Sequence, residues 1–131
     1  MKIVFISYDY TNDKHYKNLL VAWSKNEAAH FKNFTFEDGS TDISINSTDV
    51  AAIKRAISRR MAQCDIFLLI IGSKTNKSTW CDWEIEKAKE LGLVLVAVKV
   101  DNTNTSPNGI LGAGATWAKS FTFQSISAAL G

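Results

Sequence analysis

What the 131-residue chain has little of narrows its reading before any motif is weighed. Charge of one sign is nearly absent: fifteen Lys and Arg stand against thirteen Asp and Glu, a formal net of +2. That balance is too weak to point to a nucleic-acid partner. Lys54, Arg55, Arg59 and Arg60 do cluster. Helical spacing, however, turns most of them onto the solvated face of one helix, and no aromatic residue is interleaved there to stack a base. The two cysteines, Cys64 and Cys81, lie far apart and lack ligand-spaced partners, so neither a metal site nor a disulfide is expected. Both read as small buried residues. No apolar run approaches a membrane span. The opening "MKIVFISYDY" is a strand pattern too short for a signal peptide, so a cytoplasmic protein without membrane contact is expected. With 46% hydrophobic and 21% charged residues, the chain can build a packed core.

Residues 3–7 form a short run of β-branched and aromatic residues, hence a buried strand, and "DYTNDK" reads as a polar turn. Tyr16, Leu19, Leu20 and Trp23 fall at i, i+3, i+4 and i+7, the stripe of a one-faced helix. "FTFED" (34–38) is a second strand, followed by the polar connection 39–49. Ser47 or Thr48 can cap the next helix, with Asp49 favourable in its first turn and Val50, Ile53, Ile57 and Met61 as its stripe. "DIFLLIIGS" and "LVLVAVKV" are apolar without alternation, as in central strands covered on both faces. Residues 101–120, with the single proline Pro107, read as loop, "FTF" (121–123) as a fifth, edge strand, and "QSISAAL" as a terminal helix. Strands alternating with helices imply one α/β domain over 1–131: a flavodoxin-like, five-stranded, mostly parallel sheet of order 2-1-3-4-5 with helices on both faces. Ligands of such sheets bind beyond the carboxyl ends of the strands. That rim includes Ser7, Tyr8 and Asp9, then Asp38, then residues 72–79.

One helix leads from that rim: "TWCDWEIEKAKELG", residues 79–92. At about 100° per residue, Cys81, Ile85, Ala88 and Gly92 point one way, with Trp80 and Leu91 at a margin. Asp82, Glu86, Lys87, Lys89 and Glu90 point elsewhere. Glu84 alone among the charged residues falls on the apolar margin, one turn beyond Trp80. Such a carboxylate must find a partner or shift its pKa. It is either a satisfied, partly buried glutamate or a functional group in a cleft. Ser7, Tyr8 and Asp9 are either the polar edge of that cleft or a strand-ending turn in which Asp9 caps the next element. Gly109, Gly112 and Gly114 are loop punctuation, since no strand leads directly into them and no Lys-Ser/Thr pair follows. His15 and His30 fit no catalytic arrangement. A phospho-receiver would need an acidic acceptor where the third strand ends Gly72-Ser73-Lys74. A flavodoxin would need a hydroxyl-rich loop where this chain has "YDYTND".

"VFISYDY", the long loop after "FED", "DIFLLIIG" and above all "WCDWE" together resemble a TIR domain. Trp80-x-x-x-Glu84 matches the WxxxE pattern of bacterial TIR proteins. The closer likeness is to the TIR-like family that includes the ThsB protein of Thoeris antiphage systems, over about residues 3–101 in order. The resemblance implies cleavage of the nicotinamide–ribose bond of NAD+, as substrate rather than cofactor, with Glu84 as the catalytic residue. It further implies a cyclic or modified ADP-ribose signal read by a separate effector, and TIR–TIR assembly through residues 39–48. A stand-alone domain suits such a signal-making enzyme. Phe5 and Tyr8 are expected to pack against a base, Ser7, Asp9 and Asp38 to bind hydroxyls, and Trp80 to wall the cleft. Many TIR domains instead only bind one another; in that reading Glu84 and the tryptophans are structural. Trp83, off the core on the wheel, is expected to be covered by a neighbouring loop or a partner.

Overall fold

In the computed structural model, which describes residues 1–25, 33–38 and 49–131, five parallel strands run in the order β2-β1-β3-β4-β5. They are β1 (Lys2–Ser7), β2 (Phe34–Asp38), β3 (Ile66–Ile71), β4 (Val94–Lys99) and β5 (Thr116–Ala118). The helices are α1 (Tyr10–Lys25), α2 (Val50–Met61), α3 (Thr79–Leu91) and α4 (Phe123–Leu130). The central strand β3, "IFLLII", is buried along its whole length. Alternation sends Ile66, Leu68 and Ile70 into one layer with Leu20 of α1 and Ile126 and Leu130 of α4. Phe67, Leu69 and Ile71 enter the other, with Ile53, Ile57 and Met61 of α2 and Ile85 and Ala88 of α3. A strand with two apolar faces is stable only between two helix layers, and the doubly wound topology supplies them. Both cysteines are buried and free, and burial pushes their thiols up, to about 11 for Cys64 and about 12 for Cys81. No helix among the described residues is long and apolar enough to cross a membrane.

Four local expectations need correction. The "DYTNDK" segment is not a turn: α1 begins at Tyr10, because Asp9 accepts hydrogen bonds from the Thr11 backbone N–H (3.2 Å) and the Asn12 side-chain amide (2.6 Å) and so starts a helix. The stripe of α1 holds at Tyr16, Leu20 and Trp23, which pack on the core, but not at Leu19, which is exposed; Asp13 and Lys17 are buried beside it. The cap of α2 is Asp49 itself, whose carboxylate accepts from the amides of Ala51 and Ala52; Ser47 and Thr48 lie outside the described residues. The fifth strand is "TWA" (116–118), not "FTF" (121–123). Phe121 instead packs its ring against Tyr16 (5.2 Å) and Trp23 (5.8 Å) of α1, and Thr122 caps α4 by accepting from the Ser125 amide. Aromatic burial and a cap outweigh the β-propensity of that tripeptide.

Candidate active site

The carboxyl end of β1 and the first turns of α3 meet on one face of the sheet. Register along β1 puts Phe5 and Ser7 on the α2/α3 face and Val4, Ile6 and Tyr8 on the α1/α4 face. Helix α3 starts where the Ser78 hydroxyl accepts from the Cys81 amide, and ends at Gly92 in the left-handed conformation (φ 73°). Between those caps Cys81, Ile85 and Ala88 seat the helix on the sheet. This fixes the rotation that carries Glu84 inward, to 2% exposure.

There the Ser7 hydroxyl donates to Glu84 Oε1 at 2.7 Å. Glu84 Oε2 is buried with no hydrogen-bond partner among the described residues. Burial drives the Glu84 pKa up, to about 8. The Ser7 hydrogen bond and the Arg60 charge pull it back, and the Asp38 charge adds to the rise. At neutral pH the site therefore holds mostly a neutral glutamic acid, beside a thiol kept protonated by burial.

The other expected residues divide. Trp80 stands one turn before Glu84, half-buried, and packs edge-on against Trp83 (6.1 Å, 86°). Tyr8 and Asp38 do come together, but in a separate cluster on the α1 side. The Tyr8 hydroxyl donates to Asp38 Oδ1 at 2.9 Å, and Lys17 Nζ lies 3.0 Å from Asp38 Oδ2 and 5.9 Å from the Tyr8 ring centroid. Arg60 adds a hydrogen bond to the Asp38 carbonyl oxygen, tying the end of β2 to α2. Asp9 is engaged at the start of α1. Phe5, expected to pack against a base, is fully buried and stacked on Phe67 (6.0 Å, 12°), which places it in the core rather than on the rim. Alternation on a central strand makes that inevitable once Ser7 faces α3.

Several rim residues escaped sequence reasoning. Asp13 is 3% exposed, and burial together with the neighbouring Asp9 raises its pKa. Its carboxylate lies against Gly72, where an added Cβ would overlap both carboxylate oxygens. Thr75 Oγ1 is 3.4 Å from Asp13 Oδ2 and accepts from the Gly72 amide at 2.8 Å, so this cluster shapes the loop between β3 and α3. The i, i+4, i+7 spacing of Asp13, Lys17 and Leu20 was the available signal; charge at two of the three positions concealed it. Lys54 of α2 places its ammonium 5.5 Å from the Trp83 ring centroid, so a helix rather than a loop flanks that indole. The 39–48 segment expected to mediate assembly, and His30, lie outside the described residues.

A family model described as "Thoeris protein ThsB, TIR-like domain" matches residues 5–105. No curated protein matches the chain. Among solved structures, the chain is similar to a 2-desoxiribosyltransferase from Leishmania mexicana (20% identity, TM-score 0.59), over 77% of this chain and 66% of that one. It thus spans just under two thirds of that enzyme. It is also similar to a 2-deoxyribosyltransferase from the psychrotolerant bacterium Bacillus psychrosaccharolyticus (11% identity, TM-score 0.65), over 95% and 90% of the two chains. The TIR domains of the activated Roq1 resistosome match at 17% identity and TM-score 0.47, over 77% and 60%. The two transferase likenesses establish a shared fold.

Proposed function

Because the chain belongs to the TIR-like domain family of the Thoeris protein ThsB, we propose that it cleaves the nicotinamide–ribose bond of NAD+ and forms a cyclic or otherwise modified ADP-ribose signal. In this reading the signal acts on a separate effector. The observation that carries the proposal is Glu84: a glutamate buried at the carboxyl-end rim of the sheet, held by Ser7 through one oxygen and, among the described residues, without a hydrogen-bond partner at the other. A structural glutamate has no need of an unpaired buried oxygen, which costs about 1–3 kcal/mol.

The reaction asks little acid–base work of the protein. The C–N bond breaks with its electron pair leaving on nicotinamide, which departs as a neutral molecule from a cationic pyridinium. Positive charge then develops on the ribose. A carboxylate set close to the ribose hydroxyls stabilises that oxocarbenium-like state, as in glycoside hydrolysis. Glu84 is mostly neutral in the empty site, but a pyridinium brought beside it favours its ionised form. In this reading Glu84 gives up its proton to solvent as the cationic substrate binds, so that the resting acid becomes the working carboxylate and Oε2 can accept from a ribose hydroxyl. Ser7 keeps the group aimed, and Trp80 lowers the local dielectric. Tyr8, Asp9 and Asp38 frame the rim, and Asp38 tunes the charge felt by Glu84. Capture of the cation by water gives ADP-ribose and releases one proton. Capture by an adenine nitrogen or a ribose hydroxyl closes a ring.

The alternative is a TIR-type interaction module without catalysis, in which Glu84 only packs. Incubation of the protein with NAD+, read by mass spectrometry for nicotinamide and nucleotide products, separates the two. Glu84→Gln should keep the fold and lose roughly 10²–10³ in turnover, the usual yield of one transition-state electrostatic contact. Equal turnover in variant and wild type would sink the catalytic assignment. The named activity of the two transferases of similar fold supplies a second arm: a 2′-deoxynucleoside with a free acceptor base should yield no exchange.

A further inference from the structure

A cavity of about 240 Å³ opens between the starts of α2 and α3, lined by Val50, Lys54, Thr79, Trp80 and Trp83. Its composition is specific. Two indoles set edge-to-face present aromatic surface on adjacent walls. Lys54, half-buried, holds its ammonium over the Trp83 ring and forms no salt bridge among the described residues. Val50, 52% exposed at the first position of α2, supplies an apolar lip. Aromatic walls suit a flat heterocycle, because every base has a π-face to stack. A lysine without a carboxylate suits a phosphate as a point charge. The volume lies below the roughly 300 Å³ at which pockets begin to enclose a whole drug-sized ligand, so the groove takes one ring system with its phosphate and not a dinucleotide. Trp80, in the wall of the groove, precedes Glu84 by one turn of α3.

We propose that this groove is a nucleotide subsite: Trp80 and Trp83 hold the adenine ring, and Lys54 the adjacent phosphate, of the ligand whose other end reaches Glu84. The choice of adenine rests on the NAD+ reading above, whereas the preference for a flat, anionic ligand rests on the groove alone. The groove then sets how the adenosine half is anchored while the glycosidic bond is presented to the carboxylate.

The test uses AMP and adenosine as probes, titrated by calorimetry into the full chain. Wild type should bind AMP at least about tenfold more tightly than adenosine, with the AMP affinity falling as salt is raised, since the contact is partly exposed. Lys54→Met, which keeps the stem and removes the charge, should erase most of that difference and leave adenosine binding within about twofold. Trp83→Leu should weaken both probes. Thermal melts of the variants establish that each is folded, and Lys54→Gln serves if Lys54→Met is not. No AMP binding to wild type, or AMP binding unaltered by both the lysine and the tryptophan substitutions, overturns the subsite. Because binding is read without turnover, a protein that holds AMP but leaves NAD+ intact removes the catalytic proposal and retains this one.

Discussion

Glu84 ties protonation to stability and, on the proposed reading, to turnover. Between its ordinary pKa of 4.5 and its raised value of about 8, the unfolded chain releases the proton and the folded chain keeps it. The folded state binds more protons in that window. Its contribution to stability is therefore complete below the ordinary value and is lost as pH rises towards the folded one, at up to about 1.4 kcal/mol per pH unit. Urea unfolding at about pH 5 and about pH 8 should show the decline in wild type and a much flatter profile in Glu84→Gln. Turnover should run the opposite way. The kcat/KM profile reports the empty enzyme and should climb with pH towards about 8. The kcat profile reports the occupied site, where the cation favours the carboxylate, and should level off at lower pH. A second residue-scale prediction concerns Gly72, whose missing side chain makes room for Asp13. Gly72→Ala should cost about 1–3 kcal/mol by overpacking, and pairing it with Asp13→Ala should recover much of that loss in a double-mutant cycle. The sequence could show that Glu84 was a charge out of place, because its helix neighbours define an apolar margin. It could not show Ser7 as its partner, 77 residues away, since only the pairing of β1 with β3 brings them together.

At the scale of elements, α3 is positioned by its ends. Removing the Ser78 cap by Ser78→Ala should cost about 1 kcal/mol. It should also lower turnover, because the first turn carries Trp80 and leads into Glu84; a thermal melt and the NAD+ assay made together check both. The strands were legible because β2, β3 and β4 are nearly continuous apolar or β-branched runs between polar segments. The start of α1 was open to two readings: Asp9 closes onto its own helix, in a segment whose composition suits a turn equally well. What was not legible depended on tertiary contact. Strand β5 is three residues long and gains its identity from pairing Thr116, Trp117 and Ala118 with Val96, Ala97 and Val98, while the more strand-like 121–123 segment is claimed by the aromatic cluster on α1.

For the whole molecule, the strand order emerges from right-handed crossovers and apolar continuity alone, and it puts the ends of β1 and β3 side by side with α3 above them. A ligand bound there contacts elements from both ends of the fold and should stabilise all of it. NAD+ at about a hundredfold over its Kd should add about 2.7 kcal/mol, a rise in Tm of roughly 10 °C for a chain of this size. Differential scanning fluorimetry on Glu84→Gln, which should consume ligand at least about a hundredfold more slowly, checks this, and no shift would favour the interaction-module reading. The unserved Oε2 of Glu84 has one more consequence at this scale. If the resting acid ionises only when a cation enters, the site responds to the oxidation state of the dinucleotide as well as to its shape. NADH has the same adenosine half but an uncharged dihydronicotinamide, which lacks the charge that would favour the carboxylate. On the proposed reading, turnover would then draw on the oxidised pool and spare the reduced one.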